Sequence, residues 1–118
     1  MKLFDSELKV MRVLWREGEL TAKQISDICL EEIGWNMNTT YTVIKKCIAK
    51  GAIERSEPHF LCRARVTKEE IQKAETNDLI NRIFDGSEEL LVASLLSGRR
   101  LSEAKRDELK RLIDETKE

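Results

Sequence analysis

The 118-residue sequence predicts a mainly α-helical protein with one small β-hairpin, divided into an N-terminal module over residues 1–66 and a three-helix C-terminal module over residues 67–118. Three observations carry that prediction. Apolar residues recur at helical spacing in successive runs, each closed by a glycine, as far as Gly51. Between Ala52 and Val66 the period shortens around Pro58, the only proline in the chain. From Thr67 onward helical spacing returns, with one segment far richer in apolar residues than a surface helix needs.

The first helix opens at Asp5-Ser6-Glu7, which offers a capping oxygen and first-turn acids, and its inward stripe is Leu8, Met11, Leu14 and Trp15. Gly18 ends it, Leu20 has room for a short extended piece, and Thr21 with Gln24 forms a capping box for a second helix. Ile25, Ile28, Cys29 and Ile33 are its expected inward positions, and Gly34 stops it. Asn36 suits the cap of a third helix running to about Lys50, where Gly51 ends it and Lys46 and Lys50 complement the negative end of the dipole. Residues 53–56 and 60–66 then flank Glu57-Pro58-His59 as an antiparallel hairpin. Helix, turn, helix and hairpin in that order make a winged helix-turn-helix.

In the C-terminal module, Thr67 and Glu70 form a second capping box before a helix through Ile71, Ala74, Leu79, Ile80, Ile83 and Phe84. Asp85-Gly86-Ser87 breaks it. The run from Leu90 to Leu96 is too apolar for a one-faced surface helix, Gly98 ends it, and Ser102 caps a last helix striped by Leu109, Leu112 and Ile113. A 52-residue tail cannot bury that much apolar surface alone, so Ile83, Leu91, Leu95, Leu109, Leu112 and Ile113 are expected to meet a second subunit.

Composition narrows the function. Apolar residues at 41% and charged residues at 36% fit a soluble helical protein, and no run approaches the roughly 18–20 apolar residues of a membrane span. Neither a secretory signal nor membrane insertion is expected, and the cytoplasm is the expected compartment. Cys29, Cys47 and Cys62 show no metal-ligand or redox spacing, so reduced, buried thiols are expected and no metal or cofactor is implied. With His59 the only histidine, no Gly-rich phosphate loop and no nucleophile beside an identifiable base, catalysis has nothing to stand on.

The net charge of −1 hides an asymmetry. Between residues 36 and 66 stand Lys45, Lys46, Lys50, Arg55, Arg63 and Arg65 against only Glu54 and Glu57. Concentrated positive charge of this kind is the footprint of phosphate binding. At 100° per residue, Thr40, Ile44, Cys47 and Ile48 of the third helix face inward. Asn38, Thr39, Thr42, Lys46 and Ala49 face outward, flanked by Tyr41, Lys45 and Lys50. Short amide and hydroxyl side chains near the N-terminus can meet base edges in a major groove, while lysines further along meet phosphates. Arg55, Arg63 and Arg65, with His59 at the tip, would make the hairpin a backbone clamp on double-stranded DNA. A winged helix used only for protein contact would show acids or large apolar residues on that outward face. It shows neither. Trp15 and Trp35, on the apolar stripe and in the turn beside it, read as core residues rather than base-stacking platforms.

With these residues in view, the chain resembles the BlaI/MecI/CopY penicillinase-repressor family over essentially its whole length. The resemblance rests on Val10-Met11-Arg12-Val13-Leu14-Trp15, on Leu20-Thr21-Ala22, on the run from Trp35 through Asn36-Met37-Asn38-Thr39-Thr40-Tyr41-Thr42-Val43-Ile44 to Lys45-Lys46, and on Lys50-Gly51. Asp85-Gly86-Ser87 and the run Leu91-Val92-Ala93-Ser94-Leu95-Leu96 extend it. It implies a homodimeric transcriptional repressor on a dyad-symmetric operator, with a sensor-linked protease as inducing partner. The family's cleaved Asn-Phe bond aligns with Ser94-Leu95, whose residues differ. The paired C-x-C motifs of the family's copper-responsive members are absent, since no cysteine follows Cys62.

Overall fold

A computed structural model describes residues 1–98 and 101–115. Among these residues six helices and three short strands follow the order α1 (Asp5–Glu17), β1 (Leu20–Thr21), α2 (Ala22–Ile33), α3 (Met37–Lys50), β2 (Ile53–Ser56), β3 (Leu61–Ala64), α4 (Lys68–Ile83), α5 (Glu88–Ser97) and α6 (Glu103–Glu115). The chain divides into two compact units, Met1–Glu75 and the part from Thr76 onward.

In the first unit α1, α2 and α3 enclose one core, closed on a further side by the sheet. Met11, Ile25, Ile44 and Ile53, one from each of α1, α2, α3 and β2, are fully buried. Each such side chain contributes about 1.5–3 kcal/mol relative to exposure. Ile71, in the first turns of α4, joins the same cluster. The sheet has three antiparallel strands in the order β1-β3-β2, not two. Leu20 and Thr21 pair with Cys62 and Leu61, so the segment before α2 is stitched to the hairpin and the wing is tied to the base of the helix-turn-helix.

The helix ends follow the capping signals. Thr21 accepts a hydrogen bond from the Gln24 N–H at 3.1 Å while Gln24 Oε1 accepts from the Thr21 N–H at 2.9 Å. Asn36 Oδ1 accepts from the Thr39 N–H at 2.8 Å. Gly34 and Gly51 close α2 and α3 in the left-handed conformation, at φ 74° and 83°. A residue with a Cβ there would cost roughly 1–2 kcal/mol. At α1 the capping oxygen belongs to Glu7, whose Oε1 accepts from the Phe4 N–H at 2.7 Å. Trp15 is half-buried and its indole N–H donates to the Val66 carbonyl at 2.9 Å, which places it in the core and fastens α1 to the end of the wing.

One inward position is corrected. Ile33 lies on the α2 stripe but is 39% exposed. It occupies the last turn, beside an open cleft between α1 and α2 edged by Arg12, Arg16 and Glu32, so the core ends one turn earlier at Cys29. Ala22 and Ser26 are buried in its place, as is Val43 on α3.

The second unit is built differently. Ser87 caps α5 through a hydrogen bond from the Leu90 N–H at 3.2 Å, and Ser102 caps α6 through one from the Lys105 N–H at 3.2 Å. Neither α5 nor α6 holds a buried residue. Ile80 of α4 is buried, but the apolar stripes of α5 and α6 stay largely exposed among the described residues.

Candidate nucleic-acid interface

Helix α3 sorts its side chains into two faces. Thr40, Val43, Ile44 and Cys47 are buried, and the Thr40 hydroxyl donates to the Asn36 carbonyl at 3.1 Å, so its polar atom enters the core satisfied. Asn38, Thr39, Thr42, Lys45, Lys46 and Ala49 are exposed, and Tyr41 is half-buried at their edge. No acid stands in the first turn of α3, so the positive end of its dipole is left open to an anion. The Thr42 hydroxyl donates back to the Asn38 carbonyl at 2.8 Å. What Thr42 offers outward is therefore chiefly its methyl group, with the oxygen lone pairs behind it.

The cations fall into two groups. Lys45 and Lys46 on α3 and Arg65 beyond β3 are exposed and make no ion pair among the described residues. Arg55 reaches Glu57 Oε1 at 2.6 Å and stacks on the Phe60 ring, 3.5 Å from its centroid. Arg63 pairs with Glu54 at 2.7 Å and approaches Glu19 at 4.0 Å. The hydrogen bond from Arg63 holds the Glu54 carboxyl below its ordinary range, and that from Arg55 does the same for Glu57. These wing pairs are solvent-exposed and screened by water, so a phosphate can displace the acid.

Lys50, expected on a phosphate, turns back on the protein. It is 29% exposed, and its Nζ donates to Glu7 Oε1 at 2.6 Å and to the Lys2 carbonyl at 2.9 Å. Its ammonium also sits over the Phe4 ring, 4.1 Å from the centroid. Glu7, only 1% exposed, is the acid that draws it in. In the sequence alone Glu7 reads as a first-turn acid and Phe60 as one more strand residue. The roles of both depend on side chains far away in the chain, and no local pattern marks them.

The thiols stand apart from this surface. Cys29, Cys47 and Cys62 are free and fully buried. Burial pushes the Cys47 thiol up to about 12 and the Cys62 thiol up to about 11, and raises that of Cys29 as well. They are packing residues that stay protonated at neutral pH. No group of three or more His, Cys, Asp and Glu is placed to hold a metal among the described residues, and no described helix is long and apolar enough to cross a membrane.

In the second unit, Ile83, Leu95, Leu109, Leu112 and Ile113 are between 41 and 58% exposed, and Leu91 is half-buried. Val92, Leu95, Leu96, Leu101, Leu109 and Ile113 line an open apolar groove of about 810 Å³ between α5 and α6. Arg106 also borders it, and its Nε has no hydrogen-bond acceptor among the described residues. Ser94 and Leu95 lie in the regular helical stretch of α5, not in a loop.

Comparison with known proteins gives a consistent picture. A family profile described as "Penicillinase repressor" matches residues 3–115. The chain is 22% identical to the penicillinase repressor of Bacillus licheniformis, an alignment covering 98% of this chain and 92% of that protein. It is 23% identical to the methicillin resistance regulatory protein MecI of Mammaliicoccus sciuri, over 96% of this chain and 94% of that one. Among solved structures, the DNA-binding domain of the repressor BlaI, determined in solution, superimposes with a TM-score of 0.54 at 21% identity, covering 58% of this chain and 87% of that domain. At that identity the superposition speaks for the fold.

Proposed function

The chain belongs to the penicillinase repressor family, and from that premise we propose that it is a sequence-specific DNA-binding transcriptional repressor acting as a homodimer on a dyad-symmetric operator. The observation that carries this reading is the solvent face of α3. Six side chains from Asn38 to Ala49 stand exposed together, short and polar at the N-terminal end, basic further on, with no acid among them.

On this reading α3 lies in the major groove, Asn38 and Thr39 meet base edges, and Thr42 turns its methyl toward a thymine. Tyr41 borders the groove, Lys45 and Lys46 meet phosphates, and Arg55, Arg63 and Arg65 extend the phosphate contacts onto the wing. Lys50 serves inside the protein instead. The second unit supplies the dimer: its uncovered stripes and open groove are the surface a second copy would fill, and residues 67–118 act as the dimerisation module behind a DNA-binding module over residues 1–66. Two half-site affinities combined in one dimer multiply, so loss of the tail releases the operator. A sensor-linked protease acting at Ser94-Leu95 would achieve that only after unwinding α5 around the bond, because the bond sits inside a regular helix.

Selection of bound sites from a random pool of duplex DNA tests the reading. Two inverted half-sites, centred about one helical turn or a multiple of it apart, are expected. Recovery of no enriched sequence, or of a single unpaired half-site, would contradict it.

A further inference from the structure

One aromatic side chain joins three parts of the first unit that the sequence keeps apart. The Phe60 ring meets Tyr41 of α3 edge-on, with centroids 5.8 Å apart and an interplanar angle of 76°. Its face carries the Arg55 guanidinium of β2 at 3.5 Å. Its carbonyl accepts a hydrogen bond at 2.9 Å from the N–H of Ala22, the first residue of α2. Its own N–H donates to Glu57 Oε2 at 3.2 Å, and Glu57 Oε1 accepts from Arg55 Nε. The residue is held at φ 52°, a left-handed conformation that an aromatic side chain seldom adopts and that its surroundings must enforce.

The stack governs where Arg55 points. Its Nε is taken by Glu57 and its Cζ sits 3.5 Å over the Phe60 ring, while its terminal nitrogens make no hydrogen bond among the described residues. A guanidinium carries five N–H donors in a rigid fork, so the outer edge stays available to a phosphate. The ring beneath it is braced against Tyr41, and Tyr41 belongs to the helix whose exposed face holds Asn38, Thr39 and Thr42.

We propose that Phe60 is a positioning residue for DNA binding, locking the Arg55 guanidinium of the wing to the recognition helix at Tyr41 so that both contact one duplex in a fixed register. This rests on the DNA-binding reading above. Phe60 touches no DNA itself; it decides whether Arg55 is in place when α3 is seated.

The test is the salt dependence of binding to the duplex recovered from the random pool, because the slope of log affinity against log salt counts neutralised phosphates at about 0.9 each. Arg55→Ala should make the slope shallower by about 0.9 per subunit. Phe60→Leu, which keeps an apolar side chain and every charge, should produce the same change, and the double variant should go no further. Tyr41→Leu attacks the stack from the other side and should also flatten the slope, whereas Phe60→Tyr should restore the wild-type value. Far-UV circular dichroism and urea unfolding confirm that each variant is folded. Should Phe60→Leu fail that check, Tyr41→Leu and Phe60→Tyr decide the matter alone. A folded Phe60→Leu or Tyr41→Leu protein with an unchanged slope, or losses that add in the double variant, would overturn the proposal. If the wild-type protein binds no duplex, the DNA-binding reading itself fails, which is a separate outcome from a wild-type protein that binds and a slope indifferent to Phe60.

Discussion

The carboxylate of Glu7 and the ammonium of Lys50 meet at 2.6 Å across 43 residues of sequence, tying the first turn of α1 to the last turn of α3. Burial works to raise the Glu7 pKa. The hydrogen bond from Lys50, the Phe4 N–H and the charges of Lys50 and Lys46 outweigh it and hold the pKa below its ordinary value. A carboxyl depressed on folding contributes stability that is complete above its unfolded pKa and lost as pH falls through its folded one. Lys50→Met leaves the buried Glu7 carboxylate with the Phe4 N–H but without its cation, and should cost about 2–3 kcal/mol near neutrality. In urea titrations the gap between wild type and variant should narrow as pH drops below the ordinary carboxylate range. A gap that persists unchanged in acid would deny the ion pair its role.

Because Lys50 is engaged internally and Lys45 and Lys46 are not, the three lysines should separate in DNA binding. Lys45→Ala and Lys46→Ala should weaken binding to operator and to random duplex alike, each flattening the salt slope by about 0.9 for every phosphate left unneutralised. Lys50→Ala should leave the slope alone and lower the urea midpoint. Fluorescence anisotropy across a salt series reads all three, and a flattened slope for Lys50→Ala would return that residue to the phosphate surface.

Thr42 allows a sharper test of what faces outward. Its hydroxyl is spent on the Asn38 carbonyl, so the methyl is the group left to read. Thr42→Val, which keeps the methyl, should retain operator affinity to within about 0.5 kcal/mol, while Thr42→Ala should lose about 1 kcal/mol or more. Equal losses would mean that the oxygen is what the DNA senses.

Much of the first unit is legible in the chain because its signals are local. Thr21 with Gln24, Asn36, Gly34 and Gly51 each act within a turn of themselves, and each stands at the helix boundary it predicts. A period of 3.6 places Thr40, Ile44 and Cys47 inward on α3, though it misses Val43 and Ile48 is only half-buried. What escapes a sequence reading depends on partners distant in the chain. Ile33 has the right angular position on α2, but the core does not extend beneath its turn. Lys50 reads as an outward cation until Glu7 is placed beside it, and Phe60 reads as one more strand residue until Tyr41 and Arg55 close on it. The third strand is visible only as an extended residue at Leu20, because pairing with Cys62 is decided by the tertiary fold.

Uncovered apolar stripes on α5 and α6 lead to an expectation about assembly. Leu95→Lys combined with Leu109→Lys places two charges on that surface. Sedimentation should then show monomers, with operator affinity reduced about a hundredfold or more by loss of the second half-site. An unchanged dimer would move the interface elsewhere.

Whether the solvent side of α3 reads sequence is decided by replacing Asn38 and Thr39 together with alanine, Asn38→Ala with Thr39→Ala. Both side chains are exposed, and neither replacement removes the Asn36 cap or a buried side chain, so folding should be preserved. Affinity measured in parallel for the selected operator and for a random duplex should fall by about 1–3 kcal/mol on the operator for each base edge no longer met, and stay nearly constant on the random sequence. Equal change on the two duplexes would mean that this face of α3 reads no sequence.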